Sequence, residues 1–202
     1  MYGKGHGEVR GDRDCGDCFR SRVVDDALGD GGWTMITFLT AEQQHQHPNG
    51  GGWVANTAWV SESAYVGSST QVFGDARVSG SALVYGNARV YGDAKVFGDA
   101  RVSGNARVYG DARVSDNARV YGSALVYGDA LVSGYARVYG YARVYGSALV
   151  FGDALVYGDA RVFGDALVYG SALVYGDALV YGDARVSGTA QVSGTARVSD
   201  KD

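Results

Sequence analysis

The chain has 202 residues with 18 Lys+Arg against 22 Asp+Glu, a net charge of −4, 46% apolar residues, 32 Gly, 15 Tyr, one Pro and two Cys. A net negative charge with no Lys/Arg-rich block argues against nucleic acid as a partner, since phosphate binding needs a clustered positive face. Two cysteines cannot staple a fold of this length, and no apolar run is long enough to span a membrane.

Residues 1–34 are rich in Gly, Asp and Arg and show no apolar periodicity, so the expected state there is a disordered tail. This stretch has no apolar h-region, which predicts cytoplasmic synthesis without a signal peptide. Its Cys15-Gly16-Asp17-Cys18 run, with His6, supplies only two thiolates, whereas a structural zinc site wants four ligands at known spacings. Residues 35–52 open with the compact apolar stretch Met35–Thr40 and continue as a polar loop, and are expected to cap the region that begins at Trp53. Trp53, Trp59 and Tyr65 strengthen that reading, because large rings there can cover the first strands.

From Val54 to Val198 every sixth residue is Val, 25 in all, and four residues after each Val stands Ala at 23 of 24 positions, Thr70 being the exception. The unit reads as in Ala88-Arg89-Val90-Tyr91-Gly92-Asp93. Ala and Val are two apart, so a short strand puts both on one face and the Arg/Leu and Tyr/Phe/Ser positions on the other. Gly followed by Asp, Asn or Ser then turns a corner. A repeat this uniform predicts a solenoid over residues 53–199, with Val and Ala filling a narrow interior. Testing a period of 18 on the residue after each Val gathers Phe73, Tyr91, Tyr109, Tyr127, Tyr145, Phe163 and Tyr181 into one column. That segregation predicts three-sided coils of 18 residues, about eight of them, stacked roughly 4.8 Å apart. Polar residues from Gln191 to Ser199 replace the aromatics and leucines in the last coil, and 200–202 form a short charged tail.

The aliphatic residue, four others, and a small residue two places before the next aliphatic resemble the hexapeptide repeat of the bacterial transferase hexapeptide superfamily. In wording such as Gly86-Asn87-Ala88-Arg89-Val90-Tyr91 the chain is most similar to hexapeptide-repeat proteins of bacteria and their phages. The resemblance implies an all-β, single-stranded left-handed parallel β-helix, a trimer as the form of assembly, and a phage particle or a bacterial surface or scaffold assembly as the setting. It also raises acyl transfer, with a coil or loop His as general base. All three histidines, His6, His45 and His47, precede the first coil, and no insertion interrupts the hexads to shape a donor site. The reading therefore leans away from an enzyme and names no catalytic residue, no metal ligand and no cofactor. His45 and His47 read as loop residues. Asp75, Asp93, Asp111, Asp129, Asp165 and Asp183 read as good corner formers and not as a calcium ladder, because 12 basic residues balance 12 acidic ones over 53–199.

Two features point to partners. Arg77, Lys95 and Arg113 give way along the axis to Leu131, Leu149 and Leu167, and Arg101, Arg119 and Arg137 to Leu155 and Leu173, with Phe151, Tyr157, Tyr169 and Tyr175 beside them. These outward positions should expose apolar strips, for which a homo-oligomer interface is the natural use. Tyr135 and Tyr141 stand where other hexads carry Asp, Asn, Ser or Thr. With Arg137, Tyr139, Arg143 and Tyr145 they are expected to form a cluster able to stack on a saccharide or pack on a virion or surface protein. The leading expectation is a non-catalytic structural or binding solenoid, with an acyltransferase-like enzyme and a carbohydrate-binding adhesin using its Tyr rows as the alternatives.

Overall fold

The computed structural model describes residues 43–200. The expected tail of residues 1–34, with Cys15, Cys18 and His6, lies outside the described residues, as does the Met35–Thr40 stretch. Each hexad from 53 onward contributes one short strand, and every strand beyond the first two is the two-residue pair of an outward residue and its inward Val. Three parallel sheets result. The first contains Trp53–Ala55 and then a strand in each coil through Leu125–Val126 to Arg197–Val198. The second runs from Trp59–Val60 to Arg185–Val186, and the third from Tyr65–Val66 to Gln191–Val192. A strand pairs with the one three hexads on, as Arg107 with Leu125 and Val108 with Val126, so the coil has 18 residues. The described residues contain no α-helix.

The inward assignment of Val and Ala holds throughout the body: every Val at the sixth position from Val66 to Val180 is fully buried, and so is every Ala from Ala76 to Ala178. Strand pairing is what makes so slim a core possible. The outward residue donates its N–H forward to the Ala carbonyl of the next coil, as Arg107 N to Ala124 O at 3.0 Å, and the residue after Val repeats the bond, as Tyr109 N to Val126 O at 3.0 Å. Corners join the ladder too, Asn105 N donating to Gly122 O at 2.7 Å. Buried backbone groups are thereby satisfied along the axis and the interior needs no polar partner. Thr70, the one departure from Ala, is fully buried and turns its hydroxyl to the carbonyl oxygens of Val84 and Gly86, at 3.4 and 3.3 Å.

The corners explain the glycine content. Gly92 has φ +70° and its α-carbon lies over the next coil, where a methyl group would come within 3.0 Å of Gly110 N. Both the left-handed angle and the close approach penalise a side chain. In the segment expected to be a polar loop, Gln44–Gln46 forms a strand antiparallel to Trp53–Ala55, with Gln44 opposite Ala55. The chain between them turns tightly: Gly51 N donates to His47 O, and Gly52 N to Val66 O. Asn49 binds the start of the third sheet through its side-chain donor to Ala64 O at 3.0 Å and accepts from Val66 N on its own carbonyl.

Candidate binding surfaces

Parallel, in-register stacking places each outward residue directly above its counterpart 18 residues away, so like stacks on like. The aromatic column after the first sheet becomes a continuous ladder from Phe73 to Tyr181, with centroids 4.7 to 5.3 Å apart and planes within 11° of parallel. A second ladder joins Tyr121, Tyr139, Tyr157 and Tyr175 after the third sheet. A third pairs Phe151 with Tyr169 at 5.1 Å after the second. In such a ladder the faces of every interior ring are covered by the rings above and below, and only edges point outward. The Tyr rows therefore cannot serve as stacking platforms for sugar rings, which need a bare face. Packing also shifts the phenols: burial, then the neighbouring Tyr145, raises the pKa of Tyr127 against the opposing pull of Arg143 and Arg161. Burial, then Tyr121 and Tyr157, raises that of Tyr139, opposed by Arg137.

The leucine rows form as the register requires. Leu131, Leu149 and Leu167 pair in succession on the second sheet, and Leu155 and Leu173 on the third. They are not bare strips, however. All five leucines, and Phe151, Tyr157, Tyr169 and Tyr175 with them, are half-buried. The coil rise is smaller than the width of these side chains, so each shields its neighbour. The most exposed large apolar side chains lie elsewhere, Tyr135 at 64% and Tyr141 at 67%.

The aromatic and cationic residues expected to cluster are spread over three corners. Arg137 and Tyr139 belong to the third sheet and its ladder, Tyr141 is the corner after them, and Arg143 opens the first sheet around that corner. Tyr135 stands at the preceding corner, between the second and third sheets, and Tyr145 belongs to the ladder on the far side of the first sheet. Four of the six thus line one edge of the prism. Along the same edge, three coils nearer the N-terminus, lies a groove of about 400 Å³ lined by Ser69, Gln71, Asn87, Arg89, Asn105 and Arg107. Asn87 Nδ2 donates to Asn105 Oδ1 at 3.3 Å along its rim, and Gln71 Oε1 is buried in it without a hydrogen-bond partner. No sequence signal marks this groove except the run of Asn where neighbouring corners carry Asp.

The histidines sit in the N-terminal hairpin. His45 Nδ1 is 3.2 Å from Asn56 Oδ1 on the surface, and His47 is buried with Nδ1 3.2 Å from Asn49 O and 3.3 Å from Asn49 N. Among the described residues no three His, Cys, Asp or Glu side chains gather as a metal site, and no helix is long and apolar enough to cross a membrane.

Comparison with known proteins agrees on the architecture. Seven stretches, residues 71–86, 82–98, 100–113, 112–128, 124–140, 160–176 and 172–188, match the YdcK β-solenoid repeat. Neighbouring stretches overlap because the six-residue period lets the repeat align again 11 or 12 residues further on. No curated protein matches the chain.

Proposed function

We propose that this β-helix repeat protein is a non-catalytic structural solenoid that self-associates side by side through its leucine rows. The supporting observation is the exchange of residue type within one column. Arg77, Lys95 and Arg113 occupy the same outward positions of the second sheet as Leu131, Leu149 and Leu167, in unbroken register. The fold accepts a charge at these positions, so packing within one chain does not call for leucine. Leu155 and Leu173 repeat the exchange on the adjoining sheet after Arg137. Because the five side chains are already half-buried, each gains less than the roughly 1.5–3 kcal/mol of complete burial. A flat row contributed by a second copy would cover what remains. A trimer, and a virion or surface scaffold as its setting, are what the resemblance to hexapeptide-repeat proteins implies.

Sedimentation of the full chain beside a variant with Leu131, Leu149, Leu155, Leu167 and Leu173 all changed to Arg tests this. The expected result is an oligomer that the five substitutions dissociate into folded monomers. A chain that stays monomeric at high micromolar concentration overturns the reading.

A further inference from the structure

We propose that the edge of the prism between the third and first sheets binds an acidic polysaccharide, running along the axis from the Gln71 groove to the Arg137–Arg143 corner. Nothing in this inference depends on the leucine rows, which occupy the C-terminal part of the second and third sheets.

Charge is distributed unevenly over the corners. The corner between the first and second sheets carries Asp75, Asp93, Asp111 and Asp129 in successive coils, and each of the first three stands two residues before a cation of the second sheet. The corner between the third and first sheets carries Asn87, Asn105, Ser123 and Tyr141 over the same coils, with no carboxylate until Asp159. Arg137 and Arg143, on its two sides, are exposed and form no ion pair with any described residue. Arg137 also stacks in register on Arg119, which follows Asn117 in place of the usual Asp. The carboxylate nearest in sequence to Arg119, Asp116, is turned to the backbone of Gly134. Like charges opposite one another on paired strands destabilise the sheet, and an anion laid over them reverses that sign.

The remaining groups along this edge select the chemistry of the ligand. Tyr141 stands between Arg137 and Arg143, is 67% exposed, and as a corner residue belongs to no ring ladder. Its backbone is held as at any other corner, Tyr141 N donating to Gly158 O at 2.8 Å, so the ring is not needed for the turn. An exposed ring beside guanidinium groups suits a pyranose bearing a carboxylate, the ring face taking the sugar and the cation the acid. In the groove, Gln71 Oε1 is a buried acceptor with no donor, which a sugar hydroxyl satisfies and a phosphate oxygen does not. Amides at Asn87 and Asn105 offer further hydrogen bonds along the path. Each coil from Arg89 to Arg143 brings at least one cation to this edge, Leu83 and Leu125 taking the second place in two of them. Coils lie 4.8 Å apart as measured by the Tyr121 and Tyr139 rings, and the carboxylates of a polyuronate recur once per sugar. A linear, repeating ligand matches a linear, repeating edge.

Affinity electrophoresis of the full chain through gels containing polygalacturonate, its neutral methyl ester, or a single-stranded DNA of similar length tests the proposal. The expected result is retardation by polygalacturonate that weakens with added salt, with little retardation by the ester or the DNA. Changing Arg137 and Arg143 together to Gln is expected to weaken binding by about tenfold per charge lost. Tyr141→Ala, which leaves the corner backbone intact, is expected to weaken it as well, and remains informative if the double variant melts early. Absence of retardation by polygalacturonate, tighter binding to DNA, or indifference to these substitutions in folded variants would each overturn the assignment. None of these outcomes bears on self-association through the leucines, which sedimentation reads separately.

Discussion

The carboxylate of Asp116 accepts a hydrogen bond of 3.0 Å from the backbone N–H of Gly134, one coil further along the axis. Asp116 is also the one non-glycine residue with positive φ among the described residues, at 58°, and it occupies the corner place that glycine holds in the neighbouring coils. The two facts belong together, since a left-handed backbone costs an L-residue roughly 1–2 kcal/mol and Asp is among the residues that bear it best. Asp116→Ala keeps the strain and loses the bond, and is expected to destabilise the protein by about 1–2 kcal/mol. Asp116→Gly loses the bond and relieves the strain, and is expected to be near neutral. Urea melts in which the two variants share one midpoint would show that the left-handed angle carries no strain at this corner.

The slim core has no place for a charge. Val144 is fully buried in mid-solenoid, whereas Arg113 is exposed on the second sheet between Lys95 and Leu131. Val144→Asp places an unpaired charge where no donor can reach it and is expected to cost several kcal/mol. Arg113→Gln is expected to stay within about 0.5 kcal/mol. Thermal melts of the pair that coincide would contradict the inward packing of Val.

The phenol ladder makes stability depend on alkaline pH. Burial raises the pKa of Tyr127 above its ordinary value of 10.0, so the folded chain holds this proton more tightly than the unfolded chain. The resulting stability is fully present below that ordinary value and is lost as the pH rises through the higher folded one. Tyr127→Phe keeps the stack, as Phe163 does two coils on, and removes the titration. Denaturation followed across the alkaline range is expected to show a shallower decline in the Phe variant. Superimposable declines would mean that Tyr127 ionises alike in both states.

The hairpin over the first coil rests on a close approach. Gly50 has φ +108°, and a methyl group there would run into the Val66 carbonyl. Gly50→Ala is expected to cost about 2–4 kcal/mol if the hairpin stays seated. Should it instead lift off, hydrogen exchange will show the loss confined to the amides of Gly52 and Val66. Full protection of both amides at unchanged stability would refute the contact.

The architecture was legible because a parallel in-register solenoid converts sequence arithmetic directly into neighbourhood. Val every sixth residue names the inward face, and aromatic residues every eighteenth name the coil, since residues that far apart are stacked by the backbone ladder itself. Tertiary structure decided whatever is not periodic or depends on side-chain size. The pairing of Gln44–Gln46 with Trp53–Ala55 is antiparallel and follows no hexad, so a polar loop was the reading that composition allowed. Half-burial of Leu149 and Leu167 reflects a coil rise smaller than a leucine side chain, a comparison of lengths that the order of residues does not contain. Tyr135, Tyr141 and Tyr145 lie close in sequence yet stand at three different corners, because each hexad turns the chain onto a new face. That same turning brings Arg137 and Arg143 to the two sides of one edge and aligns them with a groove begun at Gln71, whose distance along the chain is undone by the stacking of coils.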